Sequence, residues 1–169
     1  MKLNKIILSF VSALAILFST SVVSFAKVVG DKIILGAAIS LTGKYSSNGV
    51  HTQNGYNMAV DRINSMGGVK VGGKTYKFDI IYYDDESNPK RAAQLAERLI
   101  SQDGVEFMLG PYSSGLTKAI APVTEKYGVP MVEANGASRS LFTKGYKYLF
   151  AVLAPVSYTH LTLPTMMSV

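Results

Sequence analysis

Apolar positions along the chain switch repeatedly between unbroken runs and a spacing of three to four, and each switch marks a new element. "KIILGAAIS", residues 32–40, is a nearly continuous apolar run of the kind expected of a strand buried on both faces of a parallel sheet. A polar loop over residues 41–52 follows, and helical spacing takes over at Tyr56, Ala59, Val60, Ile63 and Met66. The paired glycines of "GGVKVGGK", residues 67–74, predict a turn or small hairpin that leads into a second strand over residues 76–83. Asn88-Pro89 opens a second helix, with Asn as cap and Pro in the first turn, and its stripe is Ala92, Leu95, Ala96, Leu99 and Ile100. A third strand over residues 105–109 precedes a third helix with Leu116, Ala119, Ile120, Val123 and Tyr127 on one face and Gly128 as its stop. Residues 129–133 and 148–153 read as the fourth and fifth strands. The alternation predicts an α/β fold, a doubly wound parallel sheet, with strand order 2-1-3-4-5 counted along the chain.

Both ends depart from this rhythm. Lys2 and Lys5, an apolar run over residues 6–18 and small residues up to Ser24-Phe25-Ala26 have the layout of an export signal. The apolar run is short for a membrane span of roughly 20 residues. At the other end, "VSYTHLTLPTMMSV", residues 156–169, has His160 as its one basic or acidic side chain and neither helical stripe nor strand alternation. It looks like the translation of a transposon-end sequencing adapter; the other reading is a polar surface tail. The expected division is therefore a signal peptide over residues 1–26, one α/β unit over 27–155 and a tail over 156–169.

Composition narrows the chemistry. The chain has no cysteine, which excludes disulfides, a thiolate nucleophile, a thiolate metal site and a lipid on an N-terminal cysteine. With the export signal, this points to a periplasmic or secreted protein. The formal charge of +6 includes Lys2 and Lys5, and the remaining basic residues are scattered, with no run beyond Lys90-Arg91. No nucleic-acid partner is expected.

In an open α/β sheet, ligands bind beyond the carboxyl ends of the strands where the strand order reverses. Three loops leave such ends here, over residues 41–52, 110–114 and 134–138, and the expected order brings them to one crevice. Within "FMLGPYSSGLTKAIAP", residues 107–122, a helix starts near Ser113 or Ser114. One serine can cap it while the other hydroxyl and the free N–H groups face an anion, most suitably a carboxylate; a plain N-cap is the competing reading. Gly136 and Ser138 add a small-residue loop with a second hydroxyl, or a polar turn. Glu133 is either a counter-charge for a ligand ammonium or a solvated strand end. Asp84-Asp85-Glu86 suits either Mg²⁺ or an acidic turn, and the turn is favoured because the second strand lies away from the crevice.

Enzyme motifs are missing. "LTGKY", residues 41–45, has Tyr45 where a phosphate-binding loop needs Ser or Thr, and no G-x-G-x-x-G follows the first strand. No G-x-S-x-G surrounds Ser113 or Ser114. His51 and His160 are the only imidazoles, too few for a triad or a histidine metal site. A binding module without catalytic residues, metal or cofactor is expected.

The succession "LGAAISLTGKYSSNG", "NGYNMAVDRINSMGGV", "YYDDESNPKRAAQLAERLISQDGVEFMLGPYSSGLTKAIAPVTEKYGVPMVEANGAS" resembles the branched-chain amino acid and amide binding proteins of ABC importers, the leucine-binding protein family, over about residues 32–155. The resemblance implies a type I periplasmic binding protein fold, of which this chain carries a Rossmann-like first lobe, incomplete. It implies that Ser114 holds a ligand carboxylate through hydroxyl and backbone N–H, that Gly136 offers a backbone group and that Ser138 offers a hydroxyl. Asn48 falls where leucine-type members can place an aromatic ring, and Glu133 stands where a small or hydroxylated residue is expected; both departures point away from leucine itself. Leucine, isoleucine, valine, a short amide, urea or an aromatic acid all fit such a cradle. The implied partners are a small amino acid or amide and an ABC permease in the inner membrane. A ligand-sensing domain of a receptor and a non-functional fragment are the alternatives. Because the family closes two lobes on its ligand and this chain stops about where the second begins, weak or absent binding by this chain alone is expected.

Overall fold

The computed structural model describes residues 28–153; the expected signal peptide and tail lie outside them. Strands β1 (Val28–Val29) and β2 (Lys32–Ile39) are followed by α1 (Ser46–Ser65), then β3 (Val69–Val71), β4 (Lys74–Asp84) and α2 (Pro89–Ser101). Next come β5 (Met108–Leu109), α3 (Ser114–Tyr127), β6 (Met131–Glu133), α4 (Arg139–Phe142) and β7 (Leu149–Ala151). The sheet runs β3-β4-β2-β5-β6-β7, with β1 also paired to β2. From β4 to β7 every neighbouring pair is parallel; β1 and β3 pair antiparallel at the margins. Leaving those two short strands aside, the order is the expected 2-1-3-4-5, and the fold is a mostly parallel α/β sheet flanked by helices.

Strand alternation sorts the two faces. Ile34 and Ala38 of β2 join Met108, Met131, Ala92, Ala96, Leu99, Leu116 and Ile120 in the core under α2 and α3, with Ile81 and Tyr83 of β4 packed beside them. Gly36 belongs to the same row, and a methyl group there would meet Val105 at 2.9 Å. On the opposite face α1 lies along β4, fixed by Asn64, whose side chain accepts from Phe78 N–H at 2.8 Å and donates to its carbonyl at 2.9 Å. Among the described residues, nothing covers that face beyond the reach of α1. An apolar groove of about 330 Å³ runs over Leu35, Phe107, Leu109 and Val132, and Phe107, Val132 and Phe150 are 42%, 41% and 51% exposed.

The expected helix caps are present. Asn88 Oδ1 accepts from the N–H groups of Lys90 and Arg91, and Gly128 ends α3 in the left-handed conformation at φ 67. The expectation of a loop over residues 41–52 is corrected: α1 begins at Ser46, within it. Its first turns, "SSNGVHTQ", show no apolar stripe because they face a crevice rather than the core. They are held instead by close backbone approach. Gly49 N–H donates to Tyr45 O at 2.8 Å, and a Cβ on Gly49 would overlap the Ser40 carbonyl oxygen.

Among the described residues, no helix is long and apolar enough to cross a membrane. Gly49→Ala is expected to push α1 away from the end of β2 and to lower stability by about 1–3 kcal/mol, read by urea unfolding; an unchanged midpoint would show that the close approach is not a constraint.

Candidate functional site

The site is assembled from the ends of β2, β5 and β6, and the first of these is braced by the acidic turn. Asp84 Oδ1 accepts from the N–H groups of Leu41, Thr42 and Glu86 at 2.9, 3.2 and 2.9 Å, and Oδ2 accepts from the Thr42 hydroxyl at 2.7 Å. Burial works against this carboxylate, but the hydrogen bonds from Thr42, Glu86 and Leu41 outweigh it and hold Asp84 below the usual range. Asp85 is fully buried. Its Oδ1 accepts from the Ser40 hydroxyl at 2.6 Å and from Ser87 N–H at 2.7 Å, yet burial prevails and pushes it above the usual range. Ser87 completes the brace, donating to Thr42 O at 2.9 Å and accepting from Tyr45 N–H at 3.0 Å. Of the carboxylates weighed as a Mg²⁺ site, Asp84 and Asp85 hold the loop after β2 and Glu86 pairs with Arg91 at 3.3 Å; among the described residues no group of three or more histidine or acidic side chains could hold a metal.

Above this brace lies a cleft of about 400 Å³. Helix α1 presents Asn48, His51, Thr52 and Tyr56 to it, the loop after β5 presents Tyr112, and the loop after β6 presents Ala134 and Asn135. The walls are tied together: the Tyr56 hydroxyl donates to Gly110 O at 2.7 Å, and Asn135 Nδ2 donates to Thr52 Oγ1 at 3.4 Å. Burial, then the neighbouring Glu133 carboxyl, raise the pKa of the Tyr56 phenol, which keeps it a donor. Tyr45 meets Tyr112 edge-on, with ring centroids 5.6 Å apart.

At the start of α3 the two serines divide their work. Ser113 is the cap: its Oγ accepts from Leu116 N–H at 3.3 Å, and its carbonyl accepts from the N–H and hydroxyl of Thr117 at 3.1 and 2.9 Å. Its backbone sits at φ 79, ψ 142, a region almost confined to glycine. Ser114 opens the helix, and its Oγ accepts from Ser138 N–H at 3.1 Å, leaving its own proton to donate elsewhere. The Ser138 hydroxyl pairs with that of Ser140 at 2.9 Å.

Glu133 is neither a solvated strand end nor on the cleft wall. It is fully buried, with Oε2 accepting from the N–H groups of Asn135 and Gly136 and Oε1 without a partner. Burial raises its pKa, and the hydrogen bonds from Gly136 and Asn135 only partly oppose this. The Gly136 N–H points inward, to Glu133. Of the residues singled out from sequence, Asn48 lies on the wall, while Ser114 and Ser138 are hydrogen-bonded where α3 meets the loop after β6 and Ser113 caps the helix beside them. His51, Thr52, Tyr56, Tyr112 and Asn135 were not singled out. Tyr56 counted as part of a helical stripe, and Tyr112 carried a signal only in its place directly before the serine pair.

A family model described as "Periplasmic binding protein" matches residues 32–167. The "Leucine-, isoleucine-, valine-, threonine-, and alanine-binding protein" of Pseudomonas aeruginosa is 29% identical over 123 residues, 73% of this chain and 32% of that protein. Among solved structures, the branched-chain amino acid transporter substrate binding protein LivJ from Streptococcus pneumoniae, in complex with isoleucine, is 32% identical with a TM-score of 0.67, covering 75% of this chain and 35% of that one. An ABC transporter solute binding protein from R. palustris, in complex with 4-hydroxybenzoate, is 29% identical with a TM-score of 0.61, over 74% of this chain and 32% of that one. The chain thus spans about a third of the length of the relatives it matches.

Because the folded pKa of Glu133 lies above its unfolded value, the stability linked to its proton is present below the unfolded value and is lost as pH rises through the folded one. Glu133→Gln removes that loss. Urea unfolding at steps from about pH 4 to pH 8 is expected to show the variant gaining on the wild type as pH rises; a constant difference across the range would contradict the buried ionisation.

Proposed function

The chain belongs to the periplasmic binding protein family, and from that membership we propose that it is the ligand-binding first lobe of an extracytoplasmic solute-binding component of an ABC importer, acting on branched-chain amino acids or related small amino acids and amides. The observation that carries this reading is the cleft between α1, Tyr112 and Asn135, bordered by the serine cluster at the start of α3. A helix start concentrates unpaired N–H groups and positive potential, and Ser114 keeps a hydroxyl proton to give a carboxylate. The site binds and releases its solute unchanged, and the loaded protein delivers it to a permease in the inner membrane. That the relatives named above are binding proteins for amino acids or organic acids supports the assignment.

A second ligand class, an aromatic acid, is favoured by the Tyr112, Tyr56 and His51 rings on the cleft wall. A flat ring would stack or meet these edges where an aliphatic side chain would only fill space.

Titrating the isotopically labelled chain with L-isoleucine and with 4-hydroxybenzoate, followed by amide NMR shifts, separates the readings. One lobe supplies part of a pocket, so affinity of millimolar order is expected, with shifts confined to residues around Asn48, Tyr112, Ser114 and Asn135. Ser114→Ala is expected to weaken binding roughly tenfold or more, the worth of a hydrogen bond to a charged group. Stronger perturbation by 4-hydroxybenzoate selects the aromatic reading, and no response at these residues to either compound would sink both.

A further inference from the structure

Tyr45 closes the "LTGKY" stretch and stands directly before the first turn of α1. Its backbone is fixed on both sides, the N–H donating to Ser87 Oγ at 3.0 Å and the carbonyl accepting from Gly49 N–H at 2.8 Å. The half-buried side chain packs against the core, and Lys44 Nζ stands 4.5 Å from the ring centroid, a cation–π contact that restricts it further. Tyr112 lies on the cleft wall in a loop whose backbone is already set. Gly110 gives its N–H to Val132 O and accepts the Tyr56 hydroxyl, Pro111 has a fixed φ, and the Ser113 carbonyl is held by Thr117. These bonds leave the rotation of the Tyr112 ring open. Its contact with Tyr45, at 5.6 Å between centroids and 62° between planes, falls in the preferred edge-to-face range and closes that freedom.

We propose that Tyr45 is a positioning residue that holds the Tyr112 ring as a fixed aromatic shelf, and that this shelf tunes the cleft toward a carboxylate carried on a flat aromatic ring. The proposal rests on the aromatic-acid reading of the function given above and names the residue pair that enforces it. Contact with a branched aliphatic chain depends on buried area and hardly on angle, so a mobile Tyr112 would serve such a ligand nearly as well. Contact between rings depends on distance and tilt together, and a ring set in advance spares the ligand the cost of ordering it. The composition of the cleft agrees. No leucine, isoleucine, valine or methionine is among the described residues that line it; Asn48, His51 and Asn135 offer planar polar groups instead. Tyr112 also directly precedes the serine pair, so the shelf and the Ser114 hydroxyl come from one pinned loop, and a carboxylate held at Ser114 leaves the rest of the ligand beside Tyr112.

The positioning can be tested without a ligand. In the labelled full chain, the χ1 coupling constants of Tyr112 are expected to report one rotamer in the wild type and in Tyr45→Phe, and an average over rotamers in Tyr45→Leu; a single rotamer in Tyr45→Leu would overturn the proposal. With ligand, Tyr45→Leu is expected to weaken 4-hydroxybenzoate about three- to tenfold and L-isoleucine less than about twofold. Tyr45→Phe is expected to bind both as the wild type does. On a Tyr112→Leu background, adding Tyr45→Leu is expected to change neither affinity further, since the two residues act as one unit. Equal weakening of both ligands, a loss in Tyr45→Phe matching that in Tyr45→Leu, or a loss that persists without Tyr112 would each overturn the shelf, as would a wild type that prefers L-isoleucine. A wild type that binds neither compound, with the Tyr112 coupling as expected, would count against the proposed function and leave the positioning by Tyr45 standing.

Discussion

The alignment of β2 with β4, residue for residue from Lys32 opposite Lys77 to Ile39 opposite Asp84, is the constraint on which the rest of this lobe depends. Because the two strands end level, the Asp84 and Asp85 carboxylates arrive beside residues 40–42 and convert a flexible connection into a braced turn. A slip of one residue would exchange the faces of β2, turning Ile34 and Ala38 out of the core and carrying the acidic pair out of reach. With the register fixed, Gly49 can settle on the Ser40 carbonyl, and the first turns of α1 then deliver Asn48, Thr52 and Tyr56 to the crevice.

The two buried acids at the strand ends divide the labour between framework and site. Asp85 accepts on one oxygen only, from Ser40 across the strand end and from Ser87 of its own turn, so its burial belongs to the scaffold. Glu133 likewise has donors on one oxygen only, here the backbone N–H groups of Asn135 and Gly136, and it neighbours Thr117 and Tyr56. Each carboxyl leaves its second oxygen without a partner, so the two differ in which segments their bonded oxygen ties together.

Much of the fold was legible because strands and helices here differ in period, and the alternation with short connections points to a parallel sheet whose order the structure gives as the expected 2-1-3-4-5. The start of α1 was not, since helix recognition relies on an apolar stripe and "SSNGVHTQ" has none; its turns answer to a crevice and a backbone contact, neither of which leaves a periodic trace. The cap at Ser113 was legible from the serine pair, though which serine caps was settled only by backbone geometry. The burial of Glu133 was illegible in principle. A charged residue at a strand end is ordinarily solvated, and its enclosure depends on Gly110, Thr117 and Gly136, which come together only in three dimensions. Asp84-Asp85-Glu86 was legible as chemistry but ambiguous in purpose, because carboxylates that bind a cation and carboxylates that bind backbone N–H groups look alike in one dimension.

The bare apolar groove over Leu35, Phe107, Leu109 and Val132 bears on a property separate from folding or ligand affinity. Contiguous apolar surface of this kind is adhesive, and among the described residues nothing covers this face even when every hydrogen bond is formed. Colloidal behaviour is thereby uncoupled from conformational stability. Tightening the crevice or the core would raise the melting temperature without making the chain easier to concentrate, whereas a polar side chain in place of Phe107 or Phe150 would improve solubility at little thermodynamic cost.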